Sequence, residues 1–398
     1  MRNNLVWFSS RLSLIIFSYL IITYGFVGFT STYREGDSLN YHIPIAKSYL
    51  NLTVYNPELI QGVPFLVYQP GNNQGIIAFL MLVGIPINLF NVFGLIALLL
   101  VGYFTARKFD LGKDLSLLFA GSITTLHTMT RWINTQIIDI WMLVWFLLTL
   151  GLLQKPEKNP TYFLFLGIAS GMFLGSKYSA PLFLLILIIF YINKIWKYLN
   201  FKNVTAFLIP FSFLGISWYL RNYYFAGNPL WPEPFLLFSS NDSFGILGTR
   251  VWETTFLRGA LGIDYFVDAL IAEFTLWSIV IFSPILLVFR KVREQKIVRN
   301  LILIGSLGLI VFSMLPSDEF YNIVVSVFRY SYPAFITLIL AVFVISQKFK
   351  FEKYLAVFAI TNFIFITQLQ YRPKIVLLML PIVLVIFFWE DIRKYLKI

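Results

Sequence analysis

The sequence predicts an all-α polytopic membrane protein, and three observations carry that prediction. First, 58% of the 398 residues are hydrophobic and only 13% are charged, about half the charge of a soluble domain. Second, apolar runs long enough to approach the roughly 20 residues that a membrane-spanning helix needs recur along the whole chain. Third, the basic residues sit in alternate breaks between those runs. This composition excludes a water-soluble globule and a disordered chain. The 19% aromatic content suits a protein with many membrane–water boundaries to anchor.

The first apolar run covers about 12–29 and follows Arg2 and Arg11. It lacks the small-residue cleavage site of a signal peptide, so it reads as a first span starting in the cytoplasm. Further spans are expected near 86–106, 114–130, 136–153, 161–176, 178–193, 203–220, 266–289, 300–315, 331–347, 354–369 and 374–389. The total is about twelve, with 10 to 13 compatible with the pattern. Several runs are short enough to be tilted or discontinuous. Neither an internal repeat nor a low-complexity tract interrupts this organisation.

The loops orient the spans. Counting breaks alternately, 21 of the 31 basic residues and 7 of the 19 acidic ones fall on one side. The positive-inside rule makes that side the cytoplasm and places both termini there. A formal charge of +12 is then a consequence of topology and needs no nucleic acid. The expected location is the plasma (inner) membrane, surrounded by membrane lipids. With no cysteine, disulfides, thiolate metal sites and thiol nucleophiles are excluded.

The segments expected outside are longer and chemically richer than the short basic links inside. Loops held by a rigid scaffold are where sites are built, so an active site would face outward. In the first outside loop, 30–75, apolar Leu39, Ile43, Ala46 and Leu50 recur at helical spacing and predict a helix in the membrane interface. Pro44 should kink or restart it. Asp37 stands at its entry. A carboxylate there could take the proton of an attacking hydroxyl or amine, or it could simply cap the helix. Tyr41 could hydrogen-bond a substrate or anchor the interface. His42 with Asp37 could hold a divalent metal, although one histidine and scattered carboxylates make a weak ligand set; no other cofactor is called for.

Other polar residues stand at span ends. Asp139 lies in the first turn of a helix starting outside, where the helix dipole favours a carboxylate. Lys177, in GSKYSAP, sits at a sharp outside turn and could pair with a lipid-linked phosphate or snorkel to the headgroups. Arg221 and Asn222 begin the largest outside loop, and Arg329 and Tyr330 stand where a later span begins. Both arginines could bind phosphate in bidentate fashion or form salt bridges to outside carboxylates such as Glu233 or Asp318.

Four blocks, in order, carry a resemblance: GDSLNYHIPIAKSYL at 36–50, the helix–basic turn–two-helix rhythm of 87–153, WYLRNYYFAGNPLWP at 218–232 and FRYSYPAF at 328–335. Together they resemble the glycosyltransferase C superfamily, the group that includes protein O-mannosyltransferases and lipid A aminoarabinose transferases. The resemblance is best over 1–235, which it implies is a family-type transmembrane module, with 236–398 as variable later helices. It implies sugar transfer from a polyprenyl-phosphate or -diphosphate donor to a glycan, lipid or protein acceptor on the non-cytoplasmic face. It maps a catalytic carboxylate onto Asp37, the general base, and a second acidic residue onto Asp139; Tyr41, His42, Lys177, Arg221, Asn222, Arg329 and Tyr330, read from their own positions, are the candidates for substrate contact. Phosphate would leave directly as the acceptor attacks, inverting the anomeric centre. A secondary transporter, which should show repeated halves and midplane charges, and an outer-leaflet polysaccharide polymerase or ligase are the alternatives.

Overall fold

The computed structural model describes residues 2–31, 35–60, 66–231, 270–314 and 328–370. The expected span at 374–389 and the residues Glu233 and Asp318 lie outside the described residues. Among the described residues the structure is helical, without a strand. Six helical segments are long and apolar enough to cross a membrane: Asn4–Thr30, Ile87–Lys108, Phe201–Ala226, Leu270–Val288, Lys296–Ser313 and Phe328–Lys348. Three apolar helices of 15–17 residues accompany them.

We number the helices used below in chain order. They are α1 (Arg2–Thr30), α2 (Ile43–Leu50), α3 (Asn72–Leu82), α4 (Phe90–Lys108), α5 (Lys113–Thr124), α6 (His127–Thr130) and α7 (Asp139–Gln154). There follow α8 (Pro160–Leu174), α9 (Ala180–Trp196), α10 (Phe201–Phe211), α11 (Ser217–Ala226), α12 (Lys296–Met314), α13 (Tyr332–Lys348) and α14 (Glu352–Gln370). Their starts follow from local chemistry. Asn159 and Asn200 cap α8 and α10 by accepting from the N–H groups of Tyr162 and Asn203. Proline occupies the first turn of α8, α9 and α13, where its missing N–H costs nothing.

Close approach of helices in an apolar surround depends on small residues. Gly167 and Gly171, four apart on α8, face α10. A Cβ on Gly167 would lie 2.3 Å from the Phe207 carbonyl oxygen, and one on Gly171 would lie 3.1 Å from Phe211 Cα. Beyond α10, the chain passes through a π turn at Ser212–Ile216 straight into α11. This joins what the sequence predicted as a span of 203–220 into one run ending at Ala226. Conversely, the expected span 114–130 divides into α5 and the short α6, because the chain leaves helix at Thr125 and Leu126. Thr275–Val288 is wound as a 3-10 helix, with Pro284 inside it.

Basic side chains gather at one end of the bundle, where Lys108 pairs with Glu157, Lys155 with Asp110, and Lys194 with Gln154. At that end Gln347, near the close of α13, accepts from the Gly112 N–H and donates to the Asp110 carbonyl. The opposite end gathers the close of α1, the starts of α4, α7, α9 and α13, and the loop after α1. There Asn88 donates to the Ser31 carbonyl, and Asn134 donates to the carbonyls of Tyr24 and Asn88. The core runs between the two ends, and α13 is its most deeply buried helix. It packs against α12, α5, α7 and the 3-10 segment.

The first loop forms the helical structure expected, with a different disposition. The stripe predicted to lie in the interface is split: Ile43 and Ala46 are buried against Ile77 and Ala78 of α3, while Leu39 and Leu50 are exposed. The reason is that α3 (Asn72–Leu82) is a second helix of the same loop, and the two short helices bury Ile43, Ala46, Ile77 and Ala78 against each other. Leu52, Tyr55 and Leu59 extend the exposed apolar surface. Pro44 restarts the helix as expected. It has no N–H to return to the preceding turn, and that turn, Ser38–His42, is a wide π turn.

Candidate functional site

The end opposite the basic links holds a cluster of ion pairs. Arg329 enters it from the 3-10 turn Phe328–Ser331 that leads into α13. Its Nη2 lies 2.8 Å from Asp37 Oδ2 and its Nε 3.5 Å from Asp139 Oδ2. Asp139 is the first residue of α7, and its other oxygen lies 2.7 Å from Lys177 Nζ. Lys177 stands over the ring of Tyr330, 3.5 Å from its centroid. The order Asp37–Arg329–Asp139–Lys177 is therefore one chain of alternating charge, drawn from four separate stretches of sequence. Asp139 and Arg329 are buried, and Lys177 is partly buried, its side chain 15% exposed. The Asp37 side chain is 36% exposed, against 2% for Asp139 and 9% for Arg329, so Asp37 is the end of the chain that solvent reaches.

The capping alternative for Asp37 is settled by its neighbour. Asp37 occupies the N-cap position but makes no side-chain capping bond. Glu35 does that work instead: its carboxylate accepts from the backbone N–H groups of Asp37 and Ser38, at 2.9 and 3.0 Å. The Asp37 carboxylate is thus left for Arg329. Ser38 Oγ also accepts from the Gln136 N–H at 3.0 Å, which fixes the first loop to the turn before α7.

Tyr41 and His42 lie beside the cluster, ring to ring at 4.0 Å. Burial, and then the charge of Asp37, hold the Tyr41 phenol well above its ordinary value, so it stays a proton donor. His42 is buried, and burial together with the positive charges of Arg329 and Lys177 keeps its imidazole well below the ordinary histidine value. With Gln74 Nε2 donating to Nδ1 at 3.0 Å, the neutral ring carries its proton on Nε2. Among the described residues no three His, Asp or Glu converge into a metal-holding group.

Arg221 and Asn222 are placed elsewhere. Arg221 donates to the carbonyls of Val54 and Val67 at 3.1 and 3.0 Å and to Asn222 Oδ1 at 2.9 Å. Asn222 donates to the carbonyls of Tyr68 and Pro229 and to the Tyr178 hydroxyl. Both side chains are buried and hold the first loop against the end of α11. Among the described residues the Arg221 guanidinium fork is taken up by these two backbone carbonyls; Glu233 and Asp318, the salt-bridge partners considered for it, lie outside them. Arg221→Ala leaves two buried carbonyls without a donor, each at about 1–3 kcal/mol. We expect the loop at 51–70 to become markedly more protease-sensitive, with Arg221→Lys restoring little of the protection. Wild-type resistance in Arg221→Ala would contradict this role.

Three further residues belong to the same end and were not singled out from sequence. Glu273, fully buried, accepts from Arg131 Nη1 at 2.8 Å. The guanidinium carbons of Arg131 and Arg329 lie 4.7 and 5.5 Å from the ring centroid of Trp132, so one indole is shared by the two arginines. Glu273 did carry a signal, as a lone acid inside an apolar run. Arg131 and Trp132 sit together in the turn TRWINTQIID, next to Asp139 in sequence.

The arrangement can bind an anion at two cations and present a solvent-reached carboxylate beside it. No known protein family, characterised protein or solved structure matches the chain.

Proposed function

We propose that the chain is a membrane glycosyltransferase that moves a sugar from a polyprenyl-phosphate or -diphosphate donor to an acceptor on the non-cytoplasmic face. The observation that carries this reading is the chain Asp37–Arg329–Asp139–Lys177 at the end of the bundle away from the basic links. Its neighbours supply the rest of the support: a neutral His42, a protonated Tyr41 and a partly exposed acid at the rim.

In this reading the lipid tail lies along the apolar exterior and its phosphate meets Lys177 and Arg329. The acceptor oxygen or nitrogen attacks the anomeric carbon as the bond from that carbon to the phosphate oxygen breaks, and the centre inverts. The acceptor's proton passes to Asp37, and the lipid phosphate departs with the bonding electrons, its charge offset by the two cations. Arg329 is paired with Asp37 and Asp139. An arriving phosphate competes for that guanidinium and frees Asp37 to face the acceptor. The same reading has both termini in the cytoplasm, as the positive-inside rule favours, and the protein multi-pass in the plasma (inner) membrane.

The test is donor consumption by the purified protein with polyprenyl-phosphate and polyprenyl-diphosphate sugars and a membrane extract as acceptor source. Loss of the glycosylated lipid, with the product of opposite anomeric configuration by NMR, supports the reading. Folded protein that consumes none of these donors would remove it.

A further inference from the structure

Polar atoms buried without a partner are rare in folded proteins, and each asks for an explanation. Among the described residues three of them belong to the neighbourhood of Arg329: Glu273 Oε2, Trp132 Nε1 and Arg329 Nε itself. They are linked through contacts already given. Arg131 bonds the other Glu273 oxygen, and Arg131 and Arg329 flank the Trp132 ring. Thr128 and Tyr332 have their side-chain oxygens 2.6 Å apart, with the Tyr332 hydroxyl donating to the Thr128 carbonyl, and the Thr128 side chain also reaches the Glu273 carboxylate. Arg329 Nε faces Asp139 Oδ2 at 3.5 Å, so the free capacity at this spot is one acceptor, Glu273 Oε2, and one donor, Trp132 Nε1.

That combination selects a ligand group. A phosphate presents only acceptors and would face the carboxylate oxygen of Glu273 with like charge. An ammonium would meet two guanidiniums. A hydroxyl both donates and accepts, so a hydroxylated ring can give a proton to Glu273 Oε2 and accept from an N–H beside it. We propose that Glu273, Arg131 and Trp132 form the subsite that receives the sugar ring of the donor, with Glu273 accepting from one of its hydroxyls. Arg131 holds the carboxylate in place, and its own side chain is one-third exposed, at 32%. The assignment rests on the glycosyl-transfer reading and adds to it the residues that tell a glycosylated lipid from a bare one.

The experiment measures binding of two probes to the full-length protein in lipid nanodiscs: polyprenyl phosphate carrying one hexose, and bare polyprenyl phosphate. The wild type is expected to prefer the glycosylated lipid by about tenfold or more, the range for a hydrogen bond to a charged group. Glu273→Gln turns an acceptor edge into a donor, and Trp132→Phe removes the indole N–H while keeping a ring. Both should lose most of the preference while still binding the bare lipid. Retained preference in both variants, or no preference in the wild type, overturns the subsite. Should Glu273→Gln lose bare-lipid binding as well, Trp132→Phe decides. A wild type that binds neither lipid overturns the glycosyl-transfer reading itself, a result distinct from the loss of discrimination.

Discussion

Arg329→Met is expected to destabilise the protein by about 3–5 kcal/mol, the usual consequence of removing one member of a buried ion cluster. It is also expected to reduce donor consumption by about 10²–10³-fold, the effect of losing one donor to a developing oxyanion. Both losses come from the same geometry. Asp139 is almost wholly buried and keeps only Lys177 once the guanidinium is gone, while Asp37 loses its partner at 2.8 Å. Arg329→Lys separates the two effects. A lysine keeps the charge without the planar fork, so it should recover part of the stability and little of the turnover. The measurements are thermal unfolding in detergent and single-turnover donor loss. An Arg329→Met protein with wild-type stability would mean that the ion chain is not the element holding this end together.

Asp37→Asn is expected to have the opposite profile. Its side chain is more than one-third exposed, and an ion pair at that exposure contributes about 1 kcal/mol or less. Glu35 carries the helix-start hydrogen bonds that Asp37 was positioned to make, so the fold does not depend on the missing charge. Turnover should nevertheless fall by about 10²–10⁴-fold, the range for loss of a general base. Lipid-phosphate binding should be retained or improved, because Arg329 has one competitor fewer. Unchanged turnover in a folded Asp37→Asn protein would take Asp37 out of the chemistry and leave only its pairing role.

The helices were readable from sequence where apolar runs end at strong local signals. The run expected at 161–176 is Pro160–Leu174, and that expected at 331–347 is Tyr332–Lys348, each bounded by a proline in the first turn. Legibility failed where the boundary depends on a hydrogen-bonding register, as at the π turn that carries α10 into α11. It failed differently in the first loop, where the partner of the Ile43 stripe is a helix 30 residues away and not the lipid that periodicity alone suggests. Within the site, Asp37, Asp139, Lys177 and Arg329 each stood out because a charge at the end of an apolar run is costly without a purpose. Their mutual pairing did not stand out, since Asp37 and Arg329 are 292 residues apart and no periodicity connects them. Glu35 was overlooked because a carboxylate two residues before another reads as redundant, when in fact it takes over the capping and releases its neighbour.

The alternating order of the ion chain has one more consequence. Two carboxylates and two cations sum to zero, so the ion chain holds no excess charge and should gather few mobile counter-ions from the medium. On the proposed reading, an anionic headgroup would exchange places with Asp37 on Arg329 and have little bound salt to expel. Its affinity should vary only shallowly with ionic strength, in contrast to the steep salt dependence of anions gripped by an open patch of lysines and arginines.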